Sequence, residues 1–305
     1  MRIHKAVVLL IALAPVMAVA QQFLPSPSGD PVDPNTRFEV VAIRPADNGS
    51  GMMLRMTPGG FEATGVPMGV LLRQALQKPD YEIVGAPGWI NSDRYSIRAK
   101  PPEGLPLSAL TVMLVNLLKD RFQLATHLET RELPIFHLVI ARADARLGPE
   151  LKATPAECQA TIAERLAAAK AAAAGRAGGP LPPLPSLPGP NDPLPCGFAR
   201  ITPGIAAGSG RTIAQIVPTI ADLVGRPVID KTGLTGLYDF SIKYAPDGRY
   251  AGAFGPPPGA PTPPVDPDAP GFTTALQEQL GLKLESTRGP VEVLVIDKFE
   301  KPTLD

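Results

Sequence analysis

The sequence predicts an α+β fold made by tandem duplication of one unit, a strand-helix-strand-strand element followed by a helix and a β-hairpin. Three observations predict it. Short strings recur in the same order in two parts of the chain. Strand segments alternate apolar and polar residues, and helical segments carry their apolar residues on one face. Pro-rich and Ala-rich inserts separate these patterned segments.

The chain begins with a segment typical of a secretory signal peptide. The basic start "MRIHK" precedes an apolar run that ends in Ala18-Val19-Ala20, the small-residue pattern of a cleavage site. We therefore expect residues 1–20 to be removed and the mature protein to be periplasmic or secreted; an uncleaved anchor is the alternative. Residues 21–36 form a Pro-rich lead-in. No later stretch has the length of a membrane span, so no integral span is expected after cleavage.

The charge balance bears on the class of partner. Removal of residues 1–20 lowers the number of basic residues from 29 to 27 against 29 acidic residues, a net charge of about −2. Proteins that bind nucleic acids present basic patches that neutralise phosphates. Nucleic acid is therefore not an expected partner, and no motif in the sequence indicates a cofactor.

The first predicted repeat covers residues 37–150. It opens with the strand "RFEVVAIRP", in which Phe38, Val40 and Ala42 share one face. A short strand and a helix beginning near Pro67 follow, and the helix carries a single apolar face.

Its second part contains two further strands, a helix and a hairpin. Residues 81–84 form a short strand, and residues 94–100 alternate apolar and polar side chains. A helix over 108–120 precedes "FQLATHLETRELPIFHLVIAR", residues 122–142. This string has two strand segments around a polar segment that contains a proline, which predicts a hairpin.

The second predicted repeat covers residues 196–301 and uses the same strings in the same order. "RITPG" echoes "RMTPG", "PVIDKTGLTG" echoes "EIVGAPGWIN", and residues 238–244 alternate in polarity as residues 94–100 do. Its first helix has a strong apolar stripe but contains Pro218, which should kink or shorten it. A second helix over 273–280 precedes "LKLESTRGPVEVLVIDK", the second predicted hairpin.

The two predicted hairpins end in strands that are apolar on nearly both faces, "IFHLVIA" and "VEVLVID". This pattern suits a strand that is covered on both sides rather than an exposed edge. We therefore expect these segments to lie centrally and the sheets of the two repeats to associate. One irregular α+β domain with coincidentally similar strings is the alternative.

Two low-complexity segments separate the patterned parts. Residues 151–195 form an Ala/Pro-rich linker with a helix-compatible front, and a disordered insert is predicted at 246–271. Cys158 and Cys196 lie at the two sides of the Pro-rich tract. In an oxidising compartment an even pair favours a disulfide, which would stabilise the fold by about 4 kcal/mol through loop closure. Two free buried thiols are the alternative.

The repeated strings resemble the DUF3738 family, also called TIGR03435, of soil-associated bacterial proteins. The resemblance rests on "FEVVAIRP", "GGFEATGVPMGVLLRQAL", "YEIVGAPGWINSDRYSIRAK", "GRPVIDKTGLTGLYDFSIKY" and "TALQEQLGLKLESTRGPVEVLVIDKFEKP". It implies no established activity. Similar domains occur behind a membrane-embedded metallopeptidase on the extracytoplasmic side, which implies a sensing or binding role. The strand-helix-strand-strand unit also resembles the short N-terminal domain of secretins and TonB-dependent receptors, a protein-interaction module.

The mature chain has two histidines that could ligate a metal ion. His127 and His137 lie at similar distances from the first predicted turn, so they could face each other across the hairpin and start a metal site. Such a site needs a third ligand, and the second repeat has Val293 where His137 stands. A strand histidine satisfied by a neighbour is the preferred interpretation, and no metal is expected.

No catalytic set is evident. Motifs for serine nucleophiles, zinc proteases and phosphate loops are absent from the sequence. The available carboxylates, Glu129, Glu132, Asp93 and Asp239, have no spacing that demands acid–base chemistry, and solvated strand faces are their expected place. Trp89 follows a Gly/Pro turn, and an apolar residue in the matching position of the second repeat favours core packing over ligand stacking.

These observations predict a non-catalytic extracytoplasmic binding, sensing or protein-interaction module, with an unknown envelope protein or a small ligand as partner. The alternative is a periplasmic or secreted hydrolase with a site between the two repeats. A passive envelope component is a third interpretation. The sequence identifies no ligand-binding residue, so the site has to be found in the structure.

Overall fold

The structure is a computed structural model that describes residues 32–47, 51–57, 59–106, 108–173, 193–246 and 268–302. The predicted signal peptide, most of the Pro-rich lead-in, the Pro-rich part of the linker and most of the predicted insert at 246–271 lie outside the described residues. Helices and sheets occur together throughout the rest, which confirms the α+β class.

The described residues form strands of very different length. They are β1 (Val40–Ala46), β2 (Met53–Thr57), β3 (Gly60–Pro67), β4 (Ile83–Val84), β5 (Arg94–Lys100), β6 (Ala125–Ile140), β7 (Leu151–Ala153), β8 (Ala199–Thr202), β9 (Ile205–Arg211), β10 (Val228–Asp230), β11 (Tyr238–Lys243) and β12 (Leu282–Lys298). The predicted strand at 81–84 is half as long as expected, because Asp80–Glu82 form a 3-10 turn.

The helices lie close to the predicted positions. They are α1 (Met68–Leu76), α2 (Trp89–Ser92), α3 (Ala109–Phe122), α4 (Ala156–Ala173), α5 (Ile213–Val224) and α6 (Phe272–Ala275), and α6 continues as a π-helical turn over Leu276–Leu280. Within the part of the chain that the structure describes, no helix has both the length and the apolar character needed to cross a bilayer.

The strands form three four-stranded sheets. The first sheet has the order β1-β5-β3-β2, the third sheet has the order β7-β11-β9-β8, and both place their strands in the same succession along the chain. The central sheet has the order β10-β6-β12-β4. Each short strand pairs in parallel with the long strand of the other half: β4 of the first half pairs with β12, and β10 of the second half pairs with β6. The two halves of the chain therefore share the central sheet, whereas the tandem duplication itself stays a prediction.

The two predicted hairpins are wrong. Residues 125–140 form one continuous strand, β6, and residues 282–298 form another, β12. These long strands pair antiparallel with each other, and we call the pair the central ribbon. Leu133 lies opposite Gly289 at its middle. A side chain at Gly289 would meet Ile135 Cδ1 at 2.7 Å, so glycine allows close packing there.

Pro134 and Pro290, which suggested turns, fit into continuous strands because their backbone nitrogens point away from the partner strand of the ribbon. In β6, Phe136 N donates to Pro227 O and Lys231 N donates to Leu138 O, each at 2.9 Å, so even-numbered residues direct their backbone groups away from β12. Pro134 is also even-numbered, and its missing N–H therefore costs no bond within the ribbon. Pro290 lies opposite Glu132, which also directs its backbone groups away from the ribbon, so the missing N–H of Pro290 likewise costs no bond between β6 and β12.

The ribbon spans both hydrophobic cores of the protein. Leu294 and Ile296 pack into the core of the first half with α1 and α3, whereas Leu138 and Leu282 pack into the core of the second half with α5. Leu138 is 0% exposed and Leu294 is 9% exposed, which confirms that the apolar strand segments lie centrally.

The first strand differs from its prediction in the face that it buries. Val40 and Ala42 are exposed, whereas Ile43 is buried and Val41 packs against the first core. Phe38 precedes the strand and is partly buried. Phe38 lies outside the strand, so its burial does not set the alternation of β1, whose inward positions Val41 and Ile43 are odd-numbered.

Pro218 does not shorten its helix. α5 continues through Pro218 to Val224 and ends at Gly225, which has a left-handed conformation. A capping box between Thr212 and Gln215 fixes its start, and Pro218 itself is exposed. Burial of the apolar stripe, Ile213, Ile216, Ile220 and Leu223, offsets the lost hydrogen bond.

Candidate functional site

The cysteines fasten α4 to the loop before the third sheet. Cys158 and Cys196 form a disulfide with their Cα atoms 5.4 Å apart. Arg165, two turns further along α4, donates to the carbonyl oxygen of Cys196 at 2.9 Å. The predicted linker at 151–195 is therefore structured in its first part, since Leu151–Ala153 is an edge strand of the third sheet and α4 follows.

Asp239 is a structural acceptor next to this disulfide. Its Oδ1 accepts hydrogen bonds from Thr154 Oγ1 at 2.9 Å, Ser209 Oγ at 3.0 Å and Gly210 N at 2.7 Å. Ser209 Oγ also lies 3.6 Å from Cys158 Sγ. One carboxylate oxygen thus ties together the strands of the third sheet and the start of α4, and it has a different role from the solvated position expected for it.

The histidines do not face each other. His127 and His137 lie ten residues apart on the single strand β6, which separates them by about 33 Å. His127 Nδ1 is 2.9 Å from Asp297 Oδ1, and His137 lies opposite Glu285. Among the described residues, no group of three or more His, Cys, Asp or Glu is placed to hold a metal ion.

Glu129 and Glu132 lie on the exposed half of β6. Glu129 Oε2 accepts a hydrogen bond from Arg131 Nη2 at 2.7 Å, and this bond lowers the pKa of the Glu129 carboxyl. The carbonyl oxygen of Glu132 accepts from Arg288 Nη2 at 2.7 Å. The Glu129–Arg131 pair is exposed, so it contributes little to stability.

Trp89 belongs to an aromatic cluster that joins the C-terminal tail to the first half. Its ring stacks on Phe299 at 5.2 Å and meets Tyr95 edge-on at 6.4 Å. Phe299 also stacks on Phe122 at 5.7 Å. Trp89 is half-buried and packs against the first core, the arrangement expected for it from the sequence.

Asp93 lies beside this cluster and is paired. Lys301 Nζ is 2.7 Å from Asp93 Oδ2, and this contact lowers the pKa of the Asp93 carboxyl, with a smaller contribution from Ser92. A shallow depression of about 280 Å³ is lined by both Asp93 and Arg94, but Arg94 donates to the Gly65 carbonyl at 2.8 Å. These side chains therefore hold the tail and the first sheet in place.

The two halves also interact electrostatically, between the 3-10 turn Asp80–Glu82 of the first half and α5 of the second half. Burial raises the pKa of Tyr81, and the carboxylate of Asp222 on α5 raises it further. Tyr81 lies in the 3-10 turn Asp80–Glu82 that precedes β4, so the first half reaches α5 of the second half at the edge of the central sheet.

The feature that sequence reasoning missed is an open strand edge. β10 covers β6 only along Phe136–Leu138, so among the strands of the described residues none lies beside the outer side of the first half of β6. Leu128, Thr130 and Glu132 direct their backbone N–H and C=O groups to this side, as the bonds of Phe136 and Leu138 show for even-numbered positions. We call residues Leu128–Glu132 the open edge.

The open edge is accessible. Leu128 is 42% exposed, and Glu129, Thr130 and Glu132 are also exposed. Within the ranges that the structure describes, the contact from Arg288 to the Glu132 carbonyl is the hydrogen bond found on the outward groups. A signal for this edge exists in the sequence, because "THLETRELP" is polar on both strand faces, as exposed edge strands often are, but its proline indicated a turn.

The geometry defines an α+β protein with two fused halves, a shared central sheet and an exposed strand edge. The family described as a protein of unknown function (DUF3738) has a model that matches residues 69–299, and the chain belongs to this family. No curated protein and no solved structure matches the chain.

Proposed function

We propose that the protein is a non-catalytic interaction module that works outside the cytoplasm and binds its partner by strand addition at the open edge. The observation that carries this proposal is the row of outward backbone groups at Leu128, Thr130 and Glu132 on an exposed strand. Unpaired edge strands are templates for an added strand, whose main-chain hydrogen bonds supply affinity.

The position of the edge supports a binding role. β6 is paired along its inner side with β12 throughout the edge, and Leu294, opposite Leu128, is anchored in the first core. The open edge is therefore rigid before a partner binds, so little conformational entropy is lost on binding. Pro134 limits the edge at one end, since it has no N–H to offer an added strand.

Two features support an extracytoplasmic location. The first is the signal-peptide pattern of residues 1–20, and the second is the disulfide between Cys158 and Cys196, which persists in oxidising compartments. Three of the side chains considered for acid–base chemistry or metal binding take structural partners: Asp239 in the third sheet, Asp93 at Lys301 and His127 at Asp297.

A photo-cross-linking experiment tests the proposal. A photoreactive amino acid replaces Leu128. A control protein carries it instead at Thr274, an exposed position on α6, whose neighbour Ala275 packs into the second core with Leu138 at the other end of β6. Each protein is exposed to the envelope fraction of the native host and irradiated. We expect a discrete cross-linked product from position 128 and none from position 274.

The variant Thr130→Pro makes the result specific for strand addition. This variant removes one outward N–H of the open edge and keeps the bonds to β12. Pro134, four residues further along β6, already shows that a proline is compatible with the ribbon at such a position. The product from position 128 should disappear in this variant while the fold is retained by circular dichroism. Equal capture from both positions, or capture that Thr130→Pro leaves unchanged, would show that the edge is not the binding surface.

A further inference from the structure

From the order of residues along the open edge, we infer that its partner is a second copy of the same chain. Two open edges pair antiparallel, with Thr130 of each copy on the two-fold axis. This inference rests on the proposed function and names its partner. Closed two-fold dimers use the same surface patch on both copies, so a self-complementary strand is the required feature.

The backbone groups are self-complementary in this register. Thr130 lies opposite Thr130 of the other copy, and Leu128 lies opposite Glu132. All three residues direct both of their backbone groups outward, since they share the parity of Phe136 and Leu138. Antiparallel strands bond through residue pairs that exchange both N–H and C=O groups, so the outward pairs formed by Leu128, Thr130 and Glu132 in this register are all bonded pairs.

The charges are self-complementary in the same register. Glu129 of one copy lies opposite Arg131 of the other, and the relation occurs twice because of the two-fold axis. Opposite charges on directly facing strand residues stabilise a pair, and like charges destabilise it. Within one copy, Arg131 already reaches Glu129 at 2.7 Å, so all four side chains can share one network in the dimer.

Neighbouring registers are less favourable. Moving the axis from Thr130 to Glu132 places Pro134 opposite Thr130, where the proline has no N–H to donate, whereas the axis at Thr130 places Pro134 opposite Thr126, outside the open edge. Moving it to Leu128 pairs Glu129 with His127 and leaves Arg131 without an acidic partner on the facing strand. The axis at Thr130 therefore combines the most backbone bonds with the best charge pairing.

The existing contact at the edge is compatible with pairing. Arg288 donates to the Glu132 carbonyl, and the Glu132 N–H has no such contact among the described residues. A backbone carbonyl oxygen can accept two hydrogen bonds, so an added strand does not require Arg288 to leave.

Charge reversal tests the pairing. Full-length mature protein is studied by light scattering over a concentration series, as wild type, as Glu129→Arg, as Arg131→Glu and as the double variant. The wild type should show a monomer–dimer equilibrium. Each single reversal places like charges opposite each other and should raise the dimer dissociation constant about tenfold, and the double variant should restore it. Equal weakening by all three variants would contradict the charge pairing.

Disulfide trapping tests the register. Cα atoms of a directly opposite bonded pair are about 5.5 Å apart, within the range that a disulfide spans. Thr130→Cys should therefore cross-link the dimer under mild oxidation, whereas Leu128→Cys and the exposed control Thr274→Cys should not. Cross-linking through Leu128→Cys instead would contradict the inferred axis.

A wild-type protein that remains monomeric, together with no cross-linking of Thr130→Cys, would overturn the self-pairing. If position 128 still captured a different protein in the photo-cross-linking experiment, the open edge would remain the binding surface with a foreign partner. If neither experiment gave a product, both the inference and the proposed function would be rejected.

Discussion

Phe299, the residue directly after the end of β12, stacks on Trp89 of α2 with the ring centroids 5.2 Å apart. This contact brings the last described segment of the chain back onto the first half. Glu300 N donates to Phe122 O at 2.8 Å beside it, and Lys301 pairs with Asp93. The segment after β12 therefore holds the end of the second half against the first half, in addition to the contacts that the central ribbon makes.

The aromatic closure should be a major source of stability. Phe299→Ala removes a buried ring that contacts Trp89 and Phe122, and it should lower the free energy of unfolding by about 3–5 kcal/mol. Trp89 is the single tryptophan of the chain, so its fluorescence reports this region during urea unfolding. Lys301→Ala is the control, since it removes an exposed ion pair and should cause a much smaller change. Equal effects would show that the ring contacts are unimportant.

The Asp93–Lys301 pair should make stability depend on acid pH. Lys301, and to a smaller degree Ser92, hold the pKa of Asp93 below its usual range. A depressed folded pKa contributes stability above the unfolded value of about 3.9, and this contribution disappears as the pH falls through the folded pKa. The stability difference between wild type and Asp93→Asn should therefore be present at neutral pH and vanish in acid. Chemical unfolding at a series of pH values measures it, and a difference that grows toward acid would contradict the assignment.

Asp239 should stabilise the third sheet through its acceptor oxygen. Asp239→Ala removes three hydrogen bonds and leaves the buried Thr154 hydroxyl without its acceptor, which should cost about 3 kcal/mol. Asp239→Asn keeps an acceptor oxygen at this position and should cost about 1 kcal/mol. Thermal unfolding of both variants measures the difference, and equal losses would show that charge rather than hydrogen bonding matters.

The central ribbon should tolerate a charge at its exposed end but not at its buried end. Leu138→Lys places an ammonium where the side chain is 0% exposed and should destabilise the fold by about 4 kcal/mol or more. Leu128→Lys is the matched control on the same strand, because Leu128 is 42% exposed and its change should stay within about 1 kcal/mol. Urea midpoints compare the two, and a folded Leu138→Lys protein would contradict the central place of β6.

The sequence predicted the elements whose signals are local. The alternation of residues 94–100 and 238–244 predicted β5 and β11, with Tyr95 and Phe240 facing inward. The apolar stripe of α5 was also clear, although Pro218 proved compatible with the helix. These patterns depend on the periodicity of one element and on nothing that it contacts.

The central ribbon could not be predicted in the same way. A Gly-Pro or Leu-Pro step within an alternating segment indicates a turn unless the direction of the missing N–H is known. In β6 and β12 this direction depends on strands that lie far away in the sequence, β10 and β4. The open edge could not be predicted for the same reason. Whether a strand lies at the edge of a sheet depends on which distant segments pair with it, and the strand's own sequence does not show this.

Amide hydrogen exchange along β6, resolved residue by residue by NMR, tests the account most directly. The measurement is made at a concentration at which light scattering gives the monomer mass. Glu129, Arg131 and Leu133 direct their amides to β12 and should exchange slowly, whereas Leu128, Thr130 and Glu132 should exchange fast and Phe136, bonded to Pro227, slowly again. An alternation of this kind confirms a continuous strand with an open edge. Uniformly slow exchange over 128–132, or uniformly fast exchange as in a turn, would contradict it.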